Sequence, residues 1–326
     1  MKTINWGIVG TGTIARRFAE ACNNTPGACL KAVASRNMEK AKEFASEFSI
    51  PNTFGSYEDM AHYEGIDVAY IATPHGCHAD NAILFMNNKK AILSEKPITL
   101  NISELNRMIE CAKKNDVFLM EGMWGRVSPG TKKLMDMVKA GTLGKIRGLQ
   151  ANFSFDMSDE PEHHAFIPKY GGGSVLDIGC YALSFASWYS DSKVEEIKAM
   201  AEIGPTGVDL HSCYLLKYEN GAIASLSSGI TLSKPNEGYL FGENGYVYMR
   251  RFYAPQEIEV HISGEETKTI KCPYIGNGFE EQIIEVSECL RQGKKESDFI
   301  PHSQSRYITE QMDLIRSQIG VKYPVD

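Results

Sequence analysis

Over the first 122 residues, short apolar runs that end at glycine, proline or asparagine alternate with amphipathic segments. That alternation predicts strands and helices taking turns. Ile4, Trp6, Ile8 and Val9 read as a buried strand, which breaks at Gly10-Thr11-Gly12-Thr13-Ile14-Ala15 into a helix over about 14–23. There follow a strand over 28–34, a helix over 38–48 capped by Asn37, a strand over 67–74 and a helix from His75 to about Asn87. A strand over 91–94, a helix over 103–115 and a strand over 117–122 complete the series. Such a series implies a parallel sheet covered on both faces. From Lys145 the pattern changes to a period of two, with strands expected over 146–155, 194–203, 211–218, 222–232, 246–252, 257–262 and 267–271. Only the Tyr181 segment, 279–291 and 303–319 read as helices there, so the second part is a predominantly antiparallel open sheet with few helices to cover it.

The glycines at the first turn add chemistry to this pattern. Gly10 permits the tight turn, Gly12 lets a pyrophosphate approach the backbone, and Ala15 keeps the helix close to the strand. The expected ligand is a dinucleotide on a doubly wound (Rossmann) sheet. An NAD site would carry an acidic residue at the end of the second strand, whereas this chain has Ser35-Arg36. A hydroxyl and a guanidinium suit a 2′-phosphate, so NADP is the expected cofactor. The alternative is that Arg36 stacks on adenine and admits NAD as well. Ligands of such sheets sit beyond the C-terminal strand ends, which gathers Thr73, His75, Lys96, Trp124 and Arg126 toward one mouth.

Length and composition narrow the class. The 326 residues suggest two domains, expected at 1–122 and 123–326, with the last helices packing back toward the first. Hydrophobic content of 43% and charged content of 23% are ordinary for a globular enzyme. A net charge of −7 argues against a nucleic-acid or anionic-lipid partner. Eight cysteines lie far apart without a Cys-x-x-Cys, which suggests reduced thiols in a cytoplasmic protein. No apolar run reaches spanning length. His75-Gly76-Cys77-His78 offers at most three metal ligands and no partner group, so no metal is expected. The adjacent loop residues His163 and His164 read as solvated or as lining a pocket.

Thr73-Pro74-His75-x-x-His78, Glu95-Lys96-Pro97, Glu121-Gly122-Met123-Trp124-Gly125-Arg126 and Gly171-Gly172-Gly173-Ser174-Val175-Leu176-Asp177-Ile178-Gly179-Cys180-Tyr181 follow the glycine turn and Ser35-Arg36 in fixed order. In that order the chain resembles the glucose–fructose oxidoreductase / inositol dehydrogenase (Gfo/Idh/MocA) family over nearly its whole length. Within the family it is similar to the dihydrodiol dehydrogenase and NADP-dependent xylose dehydrogenase branch. The resemblance implies an NADP-dependent oxidoreductase acting on a small polyhydroxylated substrate, an aldose or a cyclic trans-diol. Candidate cofactor contacts are then Gly10, Thr11, Gly12, Thr13, Ile14, Ser35, Arg36, Thr73, Pro74, His75, His78, Glu95, Lys96, Trp124 and Arg126.

The proposed chemistry also follows from the residues. A free tyrosine titrates near 10 and is a poor base at neutral pH, but a nearby ammonium favours phenolate. Tyr181 is therefore the expected acid/base, Lys96 the cation that tunes it and holds the substrate oxygen, and Asp177, four residues before Tyr181, the residue that orients the site. Phe155, Phe166 and Tyr170 join Trp124 as expected pocket wall. Many sugar dehydrogenases of the family carry histidine where Tyr181 stands, which makes an inositol-like polyol less suited. Gly125 is smaller than that branch's pattern and bears on pocket size. An open sheet has one face to dispose of, and a sheet-to-sheet homodimer is the expected cover, as the family also implies. The rival reading is a dinucleotide- and sugar-binding regulator of the same fold without turnover; the presence of both Lys96 and Tyr181 favours the enzyme.

Overall fold

The structure, a computed structural model, describes residues 2–326. They form two compact units: residues up to Trp124 together with Ile275–Arg306, and Gly125–Tyr274 together with Tyr307–Asp326.

In the first unit a six-stranded sheet is built from β1 (Ile4–Val9), β2 (Ala28–Ala34), β3 (Asn52–Phe54), β4 (Val68–Ile71), β5 (Ala91–Glu95) and β6 (Leu119–Gly122). Its order is β3-β2-β1-β4-β5-β6 and every pairing is parallel. The order reverses between β1 and β4, which is where an open α/β sheet leaves a crevice for ligand. Helices α1 (Thr13–Asn24), α2 (Met38–Phe48), α3 (Tyr57–Ala61), α4 (His78–Asn87) and α5 (Ile102–Asn115) make the crossovers. Local chemistry sets their starts: Asn37 Oδ1 accepts from the amides of Glu39 and Lys40, and Asn101 caps α5 through the Glu104 amide. Phe85, Met86, Leu105, Met108 and Ile109 fill the core of one face. Phe18 of α1 fills the other, stacked on Tyr70 with ring centroids 3.7 Å apart. The sequence reading has no element for β3 or α3. Three residues on a sheet edge and a five-residue helix carry too little pattern to read.

The second unit contains α6 (Pro129–Lys139), β7 (Ile146–Ser154), α7 (Cys180–Tyr189), β8 (Val194–Ile203), β9 (Asp209–Tyr218), β10 (Ile223–Gly229), β11 (Gly238–Gly242), β12 (Gly245–Met249), β13 (Glu257–Ile262) and β14 (Lys268–Lys271). The eight strands run β14-β13-β12-β11-β7-β10-β9-β8, antiparallel except for the parallel β7/β10 pair. The sequence reading has no element for α6. Proline is suited to the first helical turn, and Ser128 caps the helix ahead of it. Strand β11 was also missed: glycine at both ends hides it, and pairing with β7 and β12 makes it.

The buried helix α7 covers β7 and β10 on one face of this sheet. The other face alternates outward along β9, where Cys213, Leu215 and Lys217 are exposed and Tyr214, Leu216 and Tyr218 are buried. The last two helices are α8 (Glu280–Arg291) and α9 (His302–Ile319), and α8 lies wholly in the first unit. Among the described residues no helix is long and apolar enough to cross a membrane.

Candidate active site

The first unit presents an anion cradle. Gly10 has φ +103°, and a Cβ on it would stand 2.7 Å from the Ala72 carbonyl oxygen, so only glycine fits. Gly12 opens α1 with no side-chain cap, and a Cβ there would meet nothing within 4 Å. The first-turn amides of α1 are thus left for an anion, and the space in front of them is open. These two observations fit the pyrophosphate of a dinucleotide. At the end of β2, Ser35 is buried and its Oγ accepts the Asn37 amide at 3.3 Å, while Arg36 is exposed. The Arg36 guanidinium hydrogen-bonds the Tyr57 hydroxyl; burial raises the Tyr57 phenol and this cation opposes the rise.

The ends of β4 and β5 are joined through His78. Its Nδ1 lies 2.9 Å from the Pro97 carbonyl oxygen and its Nε2 2.8 Å from that of Thr73. Complete burial pushes this imidazole down to about 4, so it is neutral at physiological pH. Both ring nitrogens face carbonyl oxygens, which turns them away from any metal. Among the described residues no three His, Cys, Asp or Glu side chains gather to hold an ion. Thr73 Oγ1 also accepts from Asn81 Nδ2 at 3.1 Å, and the buried His75 ring meets His78 edge-on at 5.6 Å.

Lys96 follows β5, half-buried, and the Lys96–Pro97 peptide is cis. Two buried carboxylates neighbour it. Glu95 accepts the Tyr70 hydroxyl and the Lys96 amide, and Glu121 accepts the Ile98 amide at 3.1 Å and the Ser305 hydroxyl at 2.6 Å. Burial raises both carboxyls, and Lys96 is among the charges that hold them down. Trp124 is buried edge-on to Phe279 at 5.4 Å. The Arg17 guanidinium lies 4.9 Å from the Trp124 ring and 4.6 Å from that of Phe279. Arg17 and Phe279 are not among the site residues expected from the sequence. Arg17 sits five residues past Gly12 on α1, a position that a helical projection could have pointed out.

The second unit holds the other candidates. Val175–Gly179 is a turn of π-helix that runs into α7, so Asp177 and Tyr181 straddle a change of helical type where a plain α-helix was expected. Both are buried. The Tyr181 ring lies edge-on to Phe153 at 5.2 Å and to Tyr253 at 5.8 Å, and those two stack at 4.5 Å. Phe155 is 41% exposed and lies 5.1 Å from Phe153. Phe153 and Tyr253 were missed. Phe153 was hidden in a strand pattern, and no local signal marks Tyr253. Phe166 and Tyr170 end two successive single turns, His164–Phe166 and Pro168–Tyr170, that lead into Gly171. His163 and His164 are half-buried, with His163 Nδ1 accepting the Ala165 amide. Arg126 belongs to this unit, with its guanidinium on the Met135 sulfur and 5.7 Å from the Trp188 ring.

Residues 4–123 match the family model described as oxidoreductase family, NAD-binding Rossmann fold, and 131–248 match the GFO/IDH/MocA C-terminal domain. The chain is 35% identical to trans-1,2-dihydrobenzene-1,2-diol dehydrogenase of Mus musculus and 33% identical to that of Homo sapiens, each comparison covering 99% of both chains. Among solved structures it resembles KijD10, a 3-ketoreductase from Actinomadura kijaniata in complex with NADP and TDP-benzene (TM-score 0.89, 22% identity, 98% of each chain). It also resembles an aldose-aldose oxidoreductase from Caulobacter crescentus complexed with glycerol (TM-score 0.90, 21% identity, 97% of each chain). With both domain models matched in order and relatives aligned from end to end, the chain belongs to the Gfo/Idh/MocA family of oxidoreductases.

Proposed function

We propose that this protein is an NADP-dependent dehydrogenase or reductase that interconverts a carbinol and a carbonyl of a small polyhydroxylated substrate, an aldose or a cyclic trans-diol. The observation that carries the reading is the uncapped α1 terminus at Gly12, open to an anion at the switch point of a 3-2-1-4-5-6 sheet. Ser35 and Arg36 at the end of β2 support NADP, as does the NADP held by KijD10. The dihydrodiol dehydrogenases among the relatives support a cyclic trans-diol, and the aldose-aldose oxidoreductase supports a sugar.

Bound NADP supplies the hydride acceptor or donor. With the cofactor bound, Tyr181 as phenolate would take the substrate hydroxyl proton as the carbonyl forms, and as phenol would return it to the oxygen in the reductive direction. Lys96 holds the substrate oxygen and favours the phenolate. Asp177 orients the substrate by hydrogen bonds, and Phe155, Phe166, Tyr170 and Trp124 contribute apolar wall.

The open face of the eight-stranded sheet supports a homodimer. Met200 is 80% exposed, Leu215 52% and Ile223 46%, and beside them run Tyr239, Phe241, Tyr246 and Tyr248. The eight cysteines, none of them in a disulfide, support a reducing, cytoplasmic compartment.

The test is reduced-nicotinamide absorbance with NADP and, separately, NAD across aldoses, cyclic trans-diols and simple polyols. Turnover with NADP is expected, reduced about 100-fold or more by Tyr181→Phe and by Lys96→Met. Tight NADPH binding without turnover in either direction would replace the enzyme by a binding protein.

A further inference from the structure

Beneath the turn that carries Asp177 and leads into the Tyr181 helix lies a buried polar cluster that no step above uses. Asp209, the first residue of β9, is fully buried. Its Oδ2 accepts from the Ser174 hydroxyl at 2.6 Å, the Ser212 hydroxyl at 2.8 Å and the Val175 amide at 2.9 Å. Ser174 Oγ also lies 2.8 Å from Ser228 Oγ. The carboxylate therefore caps the start of the π-turn from a distant strand, as an N-cap side chain does from within its own segment.

The fit is close along the whole turn. A Cβ on Gly173, at φ +110°, would stand 2.3 Å from Asp209 Oδ1. A Cβ on Gly179 would stand 2.6 Å from the buried Tyr214 hydroxyl. Tyr323 donates its hydroxyl to the Gly172 carbonyl. Asp177 thus lies on a turn capped at its entry by Asp209 and closely approached at its last residue, Gly179, by the Tyr214 hydroxyl, and that turn runs directly into the helix that carries Tyr181.

Burying a carboxylate is unfavourable unless donors compensate, and burial does raise this one. A group with only a packing task could be apolar. Here three donors converge on one oxygen, and two of them belong to the two residues that open the turn.

We propose that Asp209 is a positioning residue for the reaction, setting the place of Tyr181 and Asp177 through Ser174 and Val175. This rests on the acid/base reading of Tyr181. In Asp209→Asn the amide keeps the shape and one acceptor but loses the charge that tightens three hydrogen bonds. With the turn released, kcat falls about 10- to 100-fold while KM for NADP stays within about twofold, because misplacement at the reacting centre costs rate rather than cofactor affinity.

The experiment uses the full-length protein labelled with 3-fluorotyrosine, with the Tyr181 fluorine resonance assigned by its loss in Tyr181→Phe. Asp209→Asn is expected to move the Tyr181 resonance and to leave those of Tyr57 and Tyr63 in place, with the kcat loss in parallel. Ser212→Ala, which removes one of the three donors, is expected to give a smaller change of the same kind and carries the test if Asp209→Asn does not fold. A lower melting temperature with the Tyr181 resonance and kcat unchanged would overturn the proposal. Failure of the functional reading looks different: Tyr181→Phe would then retain full turnover, or the wild type would be silent across the panel, and the resonance alone would decide the role of Asp209.

Discussion

The carbonyl oxygen of Tyr253 lies 1.7 Å from where a Cβ on Gly125 would stand. One turn later, the Pro255 carbonyl oxygen lies 2.0 Å from the corresponding point on Gly130. Residues 253–255, in the connection between β12 and β13, are therefore laid directly on the backbone at Gly125 and Gly130, and this contact delivers the Tyr253 ring to Phe153 and Tyr181. Gly125 reflects a close backbone approach rather than an enlarged pocket.

Gly125→Ala is accordingly expected to lower stability by about 1–3 kcal/mol or more, since the group in the way is backbone and cannot rotate aside. Gly12→Ala is its counterpart. Its Cβ meets nothing, so the fold should be unaffected while NADP affinity falls about tenfold or more through the lost approach to pyrophosphate. Denaturant unfolding and fluorescence titration of NADPH separate the two; equal stability losses would contradict the assignment of Gly12 to the ligand.

Arg36→Ala is expected to weaken NADP about tenfold or more and to leave NAD nearly unchanged, because charge-assisted hydrogen bonds to a 2′-phosphate exist only in the first case. Steady-state KM values for both cofactors give the answer. Equal losses would mean that Arg36 stacks on adenine.

His78 makes a prediction about pH. Burial holds its folded-state value down at about 4, below the ordinary histidine value near 6.5. Between those values the unfolded chain binds the extra proton, so stability is full above pH 6.5 and is lost as pH falls toward 4. Glu95, Glu121 and Asp209 are pushed the other way, and their contribution improves as pH falls. The wild type must therefore be compared with His78→Gln. From pH 6.5 to 5 the wild type should lose about 2 kcal/mol more than the variant. Parallel curves would show that His78 is protonated in the fold.

Leu215→Asp places a charge in the middle of the open sheet face, where Leu215 is flanked by Ser225 on β10 and Lys198 on β8. If that face is the dimer interface, light scattering should find a monomer for the variant and a dimer for the wild type at micromolar concentration. A wild-type monomer would remove the dimer, and an unaffected variant dimer would move the interface elsewhere.

The elements that carried a long, regular pattern were legible in the sequence. Strands β1, β2, β4 and β5 are rich in Ile, Val, Leu and Ala that cannot be solvated, Gly10 is demanded by backbone geometry, and Asn37 caps within one turn of itself. Those forces act over a few residues, so the local sequence contains them. Tertiary structure alone decided the rest. β11 exists because β7 and β12 pair with it, and the entry of the π-turn is capped by a carboxylate 34 residues farther along the chain. Tyr253, Arg17 and Asp209 reach their places through contacts with residues from 34 to 260 positions away. A periodicity read over one window contains no term for such contacts, because their energy exists only once the distant segment has arrived.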